Sequence, residues 1–204
     1  MIPVYPRARV RLPYVGPRQS VGLYGGSFDP VHDGHVLVAE RAFKALRLDW
    51  VWWLVTPGNP LKGHDPSHGL DARLHAVRRH APHPRRKVLG IEEPLGVRYT
   101  ADTVAMLTTM MPHVRFVWLM GADNLASFHR WNQWRSIAAR VPIAVIDRPG
   151  ARHAALSAPM ALTLGQVRLD SDDAALVSQV KAPAWTLSRG PLSPLSSTQL
   201  RASR

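Results

Sequence analysis

Short, near-continuous apolar runs recur along the chain at Val21–Tyr24, Trp50–Val55, Val88–Ile91, Val114–Met120 and Pro142–Ile146, each closed soon afterwards by glycine or proline. Strands covered on both faces of a parallel sheet read this way, without alternation of apolar and polar positions. Between the runs lie stretches with apolar residues at helical spacing. One spans about His35 to Leu46, and another starts at Asp71 as N-cap and continues through Arg73, Leu74 and Val77. A third covers Thr100 to Met111, and a fourth holds Leu125, Phe128, Trp131, Trp134 and Ile137. Residues from about Ala151 to Ala161 read as a loop or weak helix. Two short strands are expected near Val167–Leu169 and Ala184–Leu187, and a helix start at Ser196–Arg201. There is no internal repeat.

Strands and helices in alternation predict an α/β fold, a doubly wound parallel sheet with helices on both faces. Such sheets bind ligands beyond the C-terminal ends of their strands, where the strand order switches. The loops with unusual composition all fall there. A glycine turn follows the first strand, Pro57–Lys62 the second, Gly121–Asp123 the fourth and Arg148 the fifth.

Composition narrows the classes. The 204 residues are most simply one domain over 21–204, long enough to bury a sizeable core, preceded by an arm over 1–20. Pro3, Pro6, Pro13 and Pro17 among Arg7, Arg9, Arg11 and Arg18 break every period there, so the arm is expected to be flexible or extended. The chain has no cysteine, which excludes disulfides, thiolate ligands and cysteine nucleophiles and is compatible with a reducing cytoplasm. No apolar run nears the ~18–20 residues of a membrane span, and no signal h-region occurs, so a cytoplasmic location is expected. The formal net charge of +12 points to anionic partners. Arginine-rich coding bias and the basic arm account for part of that excess, and Arg85-Arg86-Lys87 reads as a solvated loop. No RNA-binding signature is present, and a nucleic-acid reading leaves the ordered motifs unexplained.

The chemistry is concentrated in Gly25-Gly26-Ser27-Phe28-Asp29-Pro30-Val31-His32-Asp33-Gly34-His35. A strand runs into a glycine turn and opens a helix, whose first N–H groups and positive dipole end attract anions. Gly25 and Gly26, lacking Cβ, are expected to let the backbone approach a ligand. His32 and His35, at i and i+3, share one face of the first turn and can both donate to a phosphate. Neither the Walker loop nor the dinucleotide G-x-G-x-x-G is present. The histidine pair could also be a zinc fragment or ordinary surface histidines, but no further Glu, Cys or His stands at ligand spacing, so no metal ligation by protein side chains is expected. Near the C-terminus, Ser196-Ser197-Thr198 can cap a helix facing a phosphate, with the permanent fork of Arg201 one turn on. Alone this is a plain cap. With the histidine turn it forms a pair of phosphate-binding segments.

These blocks, taken in order with Arg98-Tyr99-Thr100-Ala101-Asp102-Thr103, Gly121-Ala122-Asp123-Asn124-Leu125, Trp131 and Arg148-Pro149-Gly150, resemble the bacterial nicotinate-nucleotide adenylyltransferases of the HxGH nucleotidyltransferase superfamily, over about Val21 to Arg201. The resemblance implies a Rossmann-like sheet of nucleotidyltransferase type. It implies transfer of adenylyl from ATP, with Mg²⁺, to nicotinate mononucleotide, giving deamido-NAD and pyrophosphate in NAD biosynthesis. On that resemblance His32, His35 and Arg201 are catalytic. Gly25, Gly26, Ser27, Phe28, Ser196, Ser197 and Thr198 join them on the ATP phosphates, and Gly121 and Asp123 meet the adenosine side. Asp29, Lys62, Tyr99, Thr100, Asp102, Thr103, Trp131 and Arg148 fall to the nicotinate nucleotide, with Tyr99 and Thr100 near its carboxylate and Trp131 stacked on its ring. On pattern alone Trp131 reads as core, Asp102 as a helix-dipole partner and Lys62 as a solvated side chain. Nicotinamide mononucleotide and phosphopantetheine remain alternative acceptors. The family usually continues past the Ser-Ser-Thr…Arg block into another helix, whereas this chain stops at Arg204.

Overall fold

The computed structural model describes residues 10–58, 67–147 and 152–188. Its centre is a seven-stranded sheet in the order β3-β2-β1-β4-β5-β7-β6, every pair parallel. The strands are β1 (Ser20–Gly26), β2 (Trp50–Val55), β3 (Arg86–Leu89), β4 (Arg115–Gly121), β5 (Ile143–Ile146), β6 (Arg168–Leu169) and β7 (Trp185–Ser188). The chain winds outward from β1 through β2 to β3, then returns to place β4 on the other side of β1. That reversal between β1 and β4 is the switch point where a ligand crevice opens.

Helices α1 (Asp33–Ala45), α2 (Leu70–His80), α3 (Thr100–Met110), α4 (Ala122–Phe128), α5 (Trp134–Arg140), α6 (Arg152–Leu156) and α7 (Pro159–Thr163) cover both faces. Successive strand residues point to opposite faces. Leu23, Trp52, Trp118 and Val145 accordingly enter one core cluster, and Tyr24, Trp53, Leu119 and Ile146 the other. Trp52 and Trp53 are both wholly buried, back to back across β2. Each tryptophan withdraws roughly 150–250 Å² from water, so this pair anchors the two layers. At the start of the sheet, Asp49 Oδ2 accepts from the Ser20 backbone N–H at 2.8 Å and its hydroxyl at 3.0 Å.

Several expected boundaries move. The N-cap of α2 is Gly69, and Asp71 lies inside the first turn, where its charge favours the helix dipole. The helical region holding Leu125 to Ile137 is two helices, because the chain turns at Gln133, which sits at φ +50° in the left-handed region. The 151–161 stretch holds two short helices, α6 and α7. In the proline-rich N-terminal stretch, Val15 is buried and Val10 and Leu12 pack against the same core cluster. The expected helix start at Ser196–Arg201 lies outside the described residues.

Candidate active site

β1 ends in Gly25-Gly26, and the turn carries the chain into α1. Phe28 occupies the left-handed region at φ +48°, a conformation costing a non-glycine residue about 1 kcal/mol or more. Its ring offsets that cost. It is buried, 5.0 Å from Trp53, 5.4 Å from Tyr24 and edge-on to His35 at 5.1 Å, centroid to centroid. The glycines answer to these rings. A Cβ on Gly25 would stand 2.5 Å from the Trp118 ring, and one on Gly26 would stand 3.1 Å from Phe28. Aromatic packing against the turn thus gives a structural reason for both glycines, strict at Gly25 and milder at Gly26.

His32 is the N-cap of α1 and is buried, while His35 is half-buried. Their rings lie 3.8 Å apart, tilted by 33°. His35 Nδ1 accepts from the His32 backbone N–H at 3.3 Å. An accepting Nδ1 puts the ring proton of a neutral His35 on Nε2, which is then the ring's donor. Both rings thus sit at the positive end of α1, next to the switch point, as their i, i+3 spacing predicts.

Asp29 is buried and engages the residues leading into α2. Its carboxylate accepts from the Ser67 backbone N–H, and Oδ1 lies 2.6 Å from His68 Nδ1. Burial pushes the Asp29 pKa up, but the His68 hydrogen bond, the Ser67 N–H and the charges of His68 and Arg73 outweigh it and leave the carboxyl below its ordinary value. Thr56, at the end of β2, donates its N–H to Gly26 O at 3.0 Å, which ties the second loop to the glycine turn.

Across the switch, Gly121 ends β4 and caps α4 directly, with Asp123 exposed in the first turn. Trp131 follows at the break before α5. It is half-buried and makes T-shaped contacts with Trp118 at 6.0 Å and Phe128 at 5.2 Å, centroid to centroid. Tyr99 is the N-cap of α3 and Thr100 its first residue, both half-buried, with Asp102 in the first turn. Thr103 is turned inward. It is fully buried, and its hydroxyl donates to Glu92 Oε1 at 2.9 Å. Lys62, Arg148, Ser196, Ser197, Thr198 and Arg201 lie outside the described residues.

Three side chains near these loops escaped the sequence reading. Arg73 was placed only as part of a helix face, yet it is buried and bonds to carbonyls of the turn and the second loop. An arginine inside an otherwise apolar helical stripe was the available signal. Glu92 sits beneath the start of α3, and burial, opposed only by the Thr103 hydrogen bond, pushes its carboxyl up to about 7. Its neighbour Glu93 is exposed, and nothing in the pair of glutamates marks which one turns inward. Arg41 on α1 faces Asp147, buried at the end of β5. Burial lowers the Arg41 pKa and the Asp147 charge opposes it.

Comparison with known proteins agrees with this arrangement. The family described as cytidylyltransferase-like matches residues 23–203. A protein of Agrobacterium fabrum named "Probable nicotinate-nucleotide adenylyltransferase" is 55% identical over 181 residues, covering 89% of this chain and 97% of its own length. One of Ruegeria pomeroyi with the same name is 51% identical over 194 residues, covering 95% and 91%. The chain belongs to the nicotinate-nucleotide adenylyltransferase family. Among solved structures, the Plasmodium falciparum nicotinic acid mononucleotide adenylyltransferase complexed with NaAD superposes with a TM-score of 0.66 at 16% identity, over 91% of this chain and 83% of that one. That likeness speaks for the adenylyltransferase fold, whose switch point is where the histidines of this chain stand.

Proposed function

We infer that this chain transfers the adenylyl group of ATP to nicotinate mononucleotide, releasing pyrophosphate and forming nicotinate adenine dinucleotide, a step of NAD biosynthesis that takes place in the cytoplasm. The observation that carries the reading is the paired His32 and His35 rings at the N-terminus of α1, beside the switch in strand order. Kinship at 55% identity with a protein named for this activity supports the choice of acceptor.

The reaction needs no covalent enzyme intermediate. A phosphate oxygen of the mononucleotide attacks the α-phosphorus of ATP in line, the bond to the bridging oxygen breaks, and pyrophosphate leaves with those electrons. The attacking phosphate is already ionised, so no strong base is required. The protein supplies positioning and donors for charge on the non-bridging and leaving oxygens. His35, with its proton on Nε2, is poised as one such donor, and the turn from Gly25 to Phe28 offers backbone amides. Ser196, Ser197, Thr198 and Arg201 are assigned to the same phosphates. Gly121 and Asp123 are assigned to the adenosine. The N-terminus of α3 at Tyr99 and Thr100 suits the nicotinate carboxylate, because a helix start favours an anion. The half-open Trp131 suits stacking on the pyridine ring. Asp102, Lys62 and Arg148 are assigned to the same nucleotide. Asp29 and Thr103, whose polar atoms engage Ser67, His68 and Glu92, serve that side by holding its loops.

The donors at the turn are imidazoles and amides, and among the described residues no group of three or more His, Cys, Asp or Glu could hold a metal ion. That set fits an Mg²⁺ ion brought in with ATP, which would supply further neutralisation of the phosphate charge when bound. The test of the histidine and arginine roles is the pair His35→Ala and Arg201→Ala. Each is expected to lower kcat about 10²–10³-fold, far more than it raises KM for nicotinate mononucleotide. A near-wild-type kcat in both variants removes these residues from the mechanism.

A further inference from the structure

The Arg73 side chain is buried in α2, one residue before the apolar Leu74. Its guanidinium donates to four carbonyls in three segments. Nη1 reaches Ser27 O at 2.8 Å and Thr56 O at 2.6 Å, Nη2 reaches Pro57 O at 3.0 Å, and Nε reaches His68 O at 2.9 Å. Ser27 belongs to the glycine turn, Thr56 and Pro57 to the end of β2, and His68 to the approach to α2. Burial pulls the guanidinium below its ordinary pKa, opposed by the charges of Asp29 and Glu93, and it stays ionised throughout the physiological range.

We propose that Arg73 is a positioning residue for adenylyl transfer, holding the glycine turn and the loop after β2 in one frame so that donor and acceptor phosphates meet in line. The proposal rests on the assignment of the turn to ATP given above. Carbonyls pinned by a guanidinium fix the planes of their peptides, and so the direction of the next N–H. Fixing Ser27 O orients the Phe28 amide, and fixing Thr56 O and Pro57 O orients the start of the second loop. A lysine ammonium is a point donor and cannot span four acceptors spread along a planar fork. A displacement of about 1 Å at a reacting centre costs roughly 10²-fold in rate, while binding, distributed over many contacts, changes little.

The test uses the full chain as Arg73→Lys and Arg73→Gln, with folding checked by circular dichroism and thermal melting. Pyrophosphate release is then followed well below the melting temperature of each variant. The expected result is a folded protein whose kcat falls about 10²-fold while KM for ATP and for nicotinate mononucleotide changes less than about threefold, with Arg73→Lys retaining more activity than Arg73→Gln. A folded variant with wild-type kcat overturns the proposal. So does failure of both variants to fold, which assigns Arg73 to stability alone. An inactive wild-type protein would instead overturn the assigned reaction, so the two failures are told apart by the wild-type control.

Discussion

Replacing Glu92 by Gln should make the protein more stable at pH 8 and leave its stability unchanged at about pH 3, well below the carboxyl's ordinary value. Glu92 is 4% exposed, and its side chain accepts from the Thr103 hydroxyl, a donor that either a carboxylate or an amide oxygen accepts. Burial raises its pKa from 4.5 to about 7. Well below pH 4.5 the carboxyl is protonated in both states and the folded form bears no ionisation cost. Between 4.5 and about 7 the unfolded chain releases the proton while the folded chain keeps it. Stability therefore falls as pH rises through this window, by about 1.36 kcal/mol per pH unit. The interval is worth roughly 3 kcal/mol, all of it present by pH 8. Glutamine keeps the acceptor for Thr103, fills the same volume and never ionises, so it removes the loss. Urea denaturation of both proteins from about pH 3 to about pH 8.5 reads the effect directly. The curves should coincide at the acid end and diverge toward a gap of up to about 3 kcal/mol, with the variant above. Parallel curves, or a variant less stable at pH 8, would refute the argument that a buried, weakly compensated carboxyl underlies the start of α3.

Two further perturbations probe the site. Gly25→Ala drives a Cβ to 2.5 Å from the buried Trp118 ring, and should cost about 1–3 kcal/mol in denaturation and lower kcat by disturbing the turn; a loss below about 0.5 kcal/mol would show that the ring gives way freely. Trp131→Ala removes the half-open ring beside the acceptor, and should raise KM for nicotinate mononucleotide about tenfold with little change in KM for ATP; equal changes in both would assign Trp131 to packing against Trp118 and Phe128.

Much of this architecture is written in local pattern. The wholly apolar strand runs announced a parallel sheet because burial on both faces leaves no room for alternation, and β2 at Trp50–Val55 matches its expected bounds. The turn after β1 was legible because glycine, proline and histidine each carry a conformational or chemical constraint. What escaped depends on the third dimension. The break at Gln133 has no glycine or proline to mark it, and Asp71 outranked Gly69 as a cap only in isolation. That Gly25 matters was visible, but the packing of Trp118 against it was not, since Trp118 lies 93 positions away in the sequence. Arg73 looked like one more basic residue in a basic chain. Its role exists only once Ser27, Thr56, Pro57 and His68 are brought together, and no pattern within α2 encodes those partners.

The central claim is adenylyl transfer to a pyridine nucleotide bearing a carboxylate. Its most direct test is pyrophosphate release with Mg-ATP, comparing nicotinate mononucleotide and nicotinamide mononucleotide as acceptors in kcat/KM. A large preference for the acid is the predicted result, because the start of α3 at Tyr99 and Thr100 favours an anion. Equal rates would contradict the carboxylate site while keeping the reaction. No release with either acceptor would contradict the claim itself and turn attention to phosphopantetheine.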